Sequence, residues 1–270
     1  MVNRDKIFEG SIPEIYDAYL VPLIFEEFAV EMADQVAKAA PREVLETAAG
    51  SGVVTRALAP ILSGDARYLV TDLNSPMLDR AQQQQPPDER ITWQRADALD
   101  LPFENNRFDV VCCQFGAMFF PDKVSGFAEA RRVLKPGGYF VFSVWDQIKH
   151  NEFADHVTQA AGELFADDPP VFLARTPHGY FDLTEIVGHL KSADFTQAEI
   201  RTITLQSVAK TARDPAVAYC QGTPLRNEIL DRDPEALERV TDHAAARLKA
   251  VYGSGPISGK IRGYVIIAEA

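Results

Sequence analysis

The sequence predicts a doubly wound α/β fold, a mainly parallel sheet with helices on both faces. Short apolar runs alternate with amphipathic stretches from Val44 to Trp145, the pattern of strands joined by crossover helices. The first apolar run, Val44-Leu45, ends in Glu46 and a stretch of small residues, Ala48-Ala49-Gly50-Ser51-Gly52. The run Phe108–Gln114 is apolar almost throughout, as expected of a central parallel strand covered on both sides.

Taken in order, residues 1–12 read as a mobile lead, and Pro13 to Ala40 reads as helical. Phe25, Phe28, Met32 and Val36 fall three and four apart, which puts them on one helical stripe. Ile15, Tyr16, Tyr19 and Leu20 form a second apolar cluster, and Pro22 is expected to separate two helices. After the first strand and the glycine turn, Val53–Leu62 reads as a helix and Arg67–Asp72 as the second strand. Ser75-Pro76 opens the next helix, Ser as the cap and Pro in the first turn. Ile91–Arg95 is the third strand, Asn105-Asn106 a turn and Phe108–Gln114 the fourth strand. A helix over Ser125–Leu134 stops at Lys135-Pro136-Gly137-Gly138, and Tyr139–Trp145 is the fifth strand.

Beyond Asp146 the alternation gives way to a helix over Asn151–Phe165, a break at Asp167–Pro170 and a helix from Asp182 to about Ser192. A strand over Ala198–Val208 follows, then helices over 211–250 broken at Pro215, Pro224 and Pro234, a loop at Gly253–Gly259 and a last strand over Ile261–Ala268. The two late strands are expected at the far edge of the sheet. The insertions near 147–180 and 209–256 are expected to cover the substrate side. The whole chain reads as one domain, with a helical lid over 1–40, a cofactor-binding core over 41–146 and a sheet edge with insertions over 147–270.

Bulk properties narrow the function. The 270 residues are 46% hydrophobic and 24% charged, with a net charge of −12, a globular composition. That charge disfavours nucleic acid or an anionic membrane as partner and suits a small-molecule substrate. No signal-like or membrane-spanning apolar run is present, so membrane insertion is not expected. Cys112, Cys113 and Cys220 make no paired framework and are read as buried thiols in a reducing, cytoplasmic setting. No metal site is expected, and the oligomeric state is left open.

The candidate binding residues come from the strand ends. In a doubly wound sheet, ligands bind beyond the carboxyl ends of the strands. Residues 46–52, 72, 97–99 and 114–119 all belong to that edge. Glu46, Ala48, Gly50 and Gly52 form the turn, where small residues admit close approach by a ligand. Asp72 ends the second strand, 20 positions past Gly52, and a carboxylate there suits two ribose hydroxyl donors. Asp97 suits an adenine amino group, with Ala98 and Leu99 flanking the ring. Gln114 and Phe115 open the crevice at the fourth strand. Leu73 and Met77, after Asp72, complete the set, together with Tyr16 and Tyr19 as lid or packing residues.

These motifs resemble the class I S-adenosylmethionine-dependent methyltransferases of the small-molecule, ubiquinone/menaquinone methyltransferase-like branch. The likeness covers residues 40–145 well and the flanks loosely. The family's acidic-x-Gly-x-Gly-x-Gly loop matches Glu46–Gly52, with Ala48 in place of the first Gly. Its ribose acid matches Asp72 and its adenine-side Asp matches Asp97. Phe108-Asp109 through Pro121-Asp122, then Leu134–Gly138, are similar to its fourth strand, helix and turn. The resemblance implies a Rossmann-like seven-stranded sheet with an antiparallel last strand, S-adenosyl-L-methionine as cofactor and a small-molecule methyl acceptor. Ala48 is tolerable if its φ is negative. Phe119-Phe120 stands where many relatives carry His, so a base is not available there. His150, His178 and Tyr180 are candidate bases, each better explained as a surface or packing residue, and the catalytic residue is left unassigned. Two other readings were weighed. A nicotinamide-dependent oxidoreductase is disfavoured by the absence of Gly-x-Gly-x-x-Gly spacing. A cofactor-binding protein without transferase activity is also compatible with the sequence.

Overall fold

The structure is a computed structural model and describes residues 12–270. The expected mobile lead lies outside the described residues except for Ile12, which is helical and buried. Among the described residues, seven strands form one sheet in the order β3-β2-β1-β4-β5-β7-β6. These are β1 Glu43–Glu46, β2 Arg67–Asp72, β3 Ile91–Arg95, β4 Phe108–Gln114, β5 Leu134–Trp145, β6 Gln197–Ala209 and β7 Ile257–Glu269. Strands β1 to β5 pair in parallel. β7 runs against β5: the Ala270 amide donates to Gly138 at 2.9 Å at one end, and Asp146 donates to Arg262 at 3.0 Å at the other. The antiparallel last strand is therefore present.

By contacts, the chain divides into two compact units. The core unit comprises Glu26–Val144, Phe181–Ile203 and Gly263–Ala270; among the described residues the accessory unit comprises 12–25, Trp145–Tyr180 and Thr204–Arg262. One side of the core unit's sheet packs Val44, Tyr68, Val70, Val110, Cys112 and Val265 against Met32, Val36, Val54 and Leu58 of two helices. The expected helical stripe Phe25, Phe28, Met32, Val36 is buried at every position. Removing that apolar surface from water is the main force holding such a core together. The accessory unit is mainly helical, with helices Glu152–Leu164, Arg213–Gln221, Leu225–Arg232 and Ala236–Tyr252.

Several local expectations are corrected. Pro22 does not separate two helices; it lies inside a π-helical run, Tyr16–Phe25. Proline removes an i→i−4 hydrogen bond, and a π-type turn absorbs the irregularity without ending the helix. Ser75 is the first helical residue and Asn74 occupies the cap. Pro215 does not break a helix but sits in the first turn of Arg213–Gln221, where a missing N–H costs nothing. The helix Lys123–Val133 does stop ahead of Lys135–Gly138, but β5 starts earlier than the expected Tyr139, at Leu134, and takes those four residues in. The register shifts between Phe108 and Val110, with those four residues opposite Asp109, and Gly137 there has a φ of 76°.

Candidate functional site

At the carboxyl edge of the core unit the backbone turns repeatedly through left-handed conformations: Ala48 (φ 52°), Gly50 (58°), Gly52 (81°) and Phe115 (50°). Backbone strain of this kind collects at ligand sites. The loop after β1 is stitched to both neighbouring strands. Thr47 donates its amide to Cys112 at 2.9 Å and Ala49 donates to Thr71 at 3.0 Å. The Thr71 hydroxyl donates to the Glu46 carbonyl at 2.8 Å. Gly52 has no alternative residue: beyond its φ, an added Cβ would lie 2.9 Å from the Ala81 Cβ.

Ala48 does not have the negative φ that would make its methyl harmless. Its left-handed conformation costs an L-residue about 1–2 kcal/mol. The methyl is accommodated because the residue facing it is Gly116, where a Cβ would lie 2.4 Å from that of Ala48. Sequence reading found the departure at residue 48 but not its partner, since 68 positions separate the two.

Asp72 is the organising carboxylate. It is buried, and its oxygens take one backbone amide each, Gly50 at 2.8 Å and Asn74 at 2.7 Å. Burial pushes its pKa up, while the amides of Asn74 and Gly50 pull it down. Oδ1 also accepts the Asn74 side-chain amide at 3.4 Å, while Oδ2 retains a lone pair that fits a further donor such as a ribose hydroxyl. Ser51, which the sequence reading passed over, has a buried hydroxyl with no hydrogen-bond partner among the described residues.

Glu46 is only 2% exposed. Its Oε2 accepts the Thr55 hydroxyl at 2.7 Å and also the Tyr68 hydroxyl. It thus ties the end of β1 to β2 and to the helix Val53–Leu58, which brackets the loop. Burial raises its pKa to about 7, because a carboxylate desolvated without a paired cation favours its neutral form. Asp97 is exposed, and its Oδ1 accepts the Leu99 amide at 3.0 Å. Ala98 and Leu99 are half-buried beside it. β3 pairs with β2, Arg95 opposite Asp72, so this turn adjoins the Asp72 end. Leu73 is half-buried and Met77 buried. Gln114 stands opposite Ser143 on β5. Phe115 donates its amide to the Ser143 hydroxyl at 3.1 Å, and its ring packs edge-on against Phe28 with centroids 5.1 Å apart. Tyr16 and Tyr19 belong to the accessory unit. Tyr16 stacks on Phe25 at 5.2 Å and Tyr19 is 40% exposed.

Asp109 and Lys135 lie at the other end of the strands. Asp109 accepts the Arg42 and Glu43 amides at 2.9 and 2.8 Å and the Lys135 ammonium at 2.6 Å, clasping β1, β4 and β5 together. A cavity of about 460 Å³ also opens at this amino edge, lined by Glu43, Arg67, Arg90 and Arg107 among others. Two of its arginines pair with Glu43 and Asp88.

Residues 45–142 match the family model of the methyltransferase domain. This core has the class I methyltransferase fold. The chain is similar to the demethylmenaquinone methyltransferase of Lactiplantibacillus plantarum, at 39% identity over 110 residues, 40% of this chain and 46% of that protein. The chain thus spans less than half the length of that relative. It is 28% identical to the ubiquinone/menaquinone biosynthesis C-methyltransferase of Ruegeria over 187 residues, 64% of this chain and 74% of that protein. In fold it is similar to phosphoethanolamine N-methyltransferase 2 of Haemonchus contortus in complex with S-adenosyl-L-methionine. The TM-score is 0.58 at 16% identity, covering 99% of this chain and 60% of that one.

Proposed function

We infer that this chain transfers a methyl group from S-adenosyl-L-methionine to a small-molecule acceptor. The observation that carries the reading is Asp72: a buried carboxylate fixed by the Gly50 and Asn74 amides, with a lone pair to spare on Oδ2 at the strand edge where such folds take ligands. The family match over residues 45–142 and the names of the relatives point the same way.

In this reading Asp72 accepts a ribose hydroxyl and Asp97 the adenine amino group, with Ala98, Leu99, Leu73 and Met77 around the base. Gly50 and Gly52 let the loop backbone come close, Ser51 adds an unspent hydroxyl, and Glu46 supports the loop from beneath. Gln114 and Phe115 border the crevice. The methyl donor is already activated when bound, so the chain's contribution is chiefly orientation and exclusion of water. The family match ends at residue 142, so it bears on the donor; the acceptor is selected by the residues that follow.

The test is a calorimetric titration with S-adenosylhomocysteine and, separately, NAD. S-adenosylhomocysteine is expected to bind, and Asp72→Ala to weaken it at least tenfold. Binding of NAD alone, or unchanged affinity in the variant, contradicts this reading.

A further inference from the structure

Two buried carboxylates of the core unit share the underside of the loop after β1. Glu46 pairs with Val70 across β1 and β2, so it stands on the same face of the sheet as Asp72, two residues further along β2. Their surroundings differ in kind. Asp72 is held by the Gly50 and Asn74 amides, which can only donate and so favour its ionised form. Glu46 is held, among the described residues, by the hydroxyls of Thr55 and Tyr68, both on Oε2. A hydroxyl can turn to donate or to accept, so this cradle admits Glu46 with or without its proton.

The other charged and titratable groups around Glu46 leave it as the one poised to change. On β2, Asp72 disfavours its ionised form, and Tyr68 is pushed up by burial and stays neutral. On β4, burial pushes the Cys112 thiol well up and that of Cys113 to about 11, so neither carries charge. On the helix Val53–Leu58, Arg56 has the smallest of these influences, and its Nη1 is engaged by the Ser51 carbonyl at 2.6 Å. Burial therefore prevails and sets Glu46 near neutrality, at about 7.

We propose that Glu46 lets the site tell the cationic methyl donor from its neutral product, giving up its proton when a sulfonium binds and keeping it when the thioether binds. The proposal rests on the methyl-transfer reading. The donor has a net positive charge from its sulfonium, ammonium and carboxylate together, and S-adenosylhomocysteine, lacking the sulfonium charge, has none. A cation held by the loop favours an ionised carboxylate beneath it. Buried charges are poorly screened, so Glu46 acts without touching the ligand. The only bond broken in this binding step is the Glu46 O–H, whose proton goes to water while its electron pair stays on the carboxylate. Both ligands carry the same ribose, so the contribution of Asp72 is common to them and cancels in their ratio. After transfer the sulfur is neutral and Glu46 takes a proton back from water, which leaves the product without the attraction that held the donor.

The test is calorimetry on the full chain without acceptor, titrating S-adenosyl-L-methionine and S-adenosylhomocysteine separately. At pH 6.5, in phosphate and in imidazole buffers, whose ionisation heats differ, the donor is expected to release about 0.7 proton more than the product. Between pH 5.5 and 7 the ratio of donor affinity to product affinity is expected to rise on the order of tenfold. Glu46→Gln, which cannot ionise, is expected to abolish both effects. Tyr68→Phe removes a hydroxyl that supports the ionised form and is expected to move the rise to higher pH, a shift that loss of packing would not cause. Equal proton counts for the two ligands in the wild-type chain, or an affinity ratio indifferent to pH, overturns the proposal. Persistence of either effect in Glu46→Gln does the same. If Glu46→Gln fails to fold, the wild-type proton count and the direction of the Tyr68→Phe shift decide. Failure of both ligands to bind would instead bring down the methyl-transfer reading on which the proposal stands.

Discussion

Ala48 and Gly116 should behave as one unit. In Gly116→Ala the new Cβ would lie 2.4 Å from the Ala48 Cβ and 2.8 Å from the Cys113 sulfur, both well inside van der Waals contact. Gly116 itself has a φ of −97°, so the substitution brings no backbone strain and the whole cost is steric. Overpacking of this kind costs about 1–3 kcal/mol, and two simultaneous clashes place Gly116→Ala at about 2–3 kcal/mol. Ala48→Gly relieves about 1 kcal/mol of left-handed strain but adds a similar cost in unfolded-chain entropy, so alone it should change stability by less than about 0.5 kcal/mol. In the double variant the 2.4 Å clash is gone, and the remaining contact is with the end of a cysteine side chain. The double variant should therefore recover at least ~1 kcal/mol, a coupling within the range for touching residues. Urea unfolding monitored by circular dichroism measures all four states, and the midpoint of Gly116→Ala should fall by several degrees in a parallel thermal melt. Additive effects in the double variant, within about 0.5 kcal/mol, would refute the pairing.

Two predictions concern pH. Glu46 has its folded pKa raised from 4.5 to about 7, so the folded state holds its proton more tightly than the unfolded chain. The associated stability is full below pH 4.5 and is lost as pH rises through 7, on the order of 3 kcal/mol in all. Glu46→Gln should flatten that leg, and a wild-type-minus-variant difference that does not change between pH 4 and 8 would contradict it. His178 has the opposite sign, its folded pKa lowered from 6.5 to about 4. Its stability is full above pH 6.5 and is lost as pH falls through 4, again on the order of 3 kcal/mol. His178→Asn should remove this acid sensitivity in equilibrium unfolding, and an unchanged acid limb would count against a neutral, buried imidazole.

Much of the fold was legible in order along the chain. β2, β3 and β4 have the boundaries expected from Arg67–Asp72, Ile91–Arg95 and Phe108–Gln114, because apolar strands bounded by polar turns are a local signal. The misreadings were also local. Pro22 and Pro215 are breaker signals whose outcome depends on what surrounds them: a π-type turn and a helix's first turn took them in.

The sequence by itself determined the strand–helix alternation, the small-residue turn after Glu46 and the acids at strand ends, since each is written in neighbouring residues. Only the tertiary structure decided what those residues touch. It gave Asp72 the Gly50 and Asn74 amides, sank Glu46 beneath the loop with Thr55 and Tyr68, and set Gly116 against Ala48. It also gave His150 the carboxylate of Asp146 as partner and His178 the carbonyl of the same residue. Burial and hydrogen-bond partners are properties of distant segments brought together, and no window along the chain contains them.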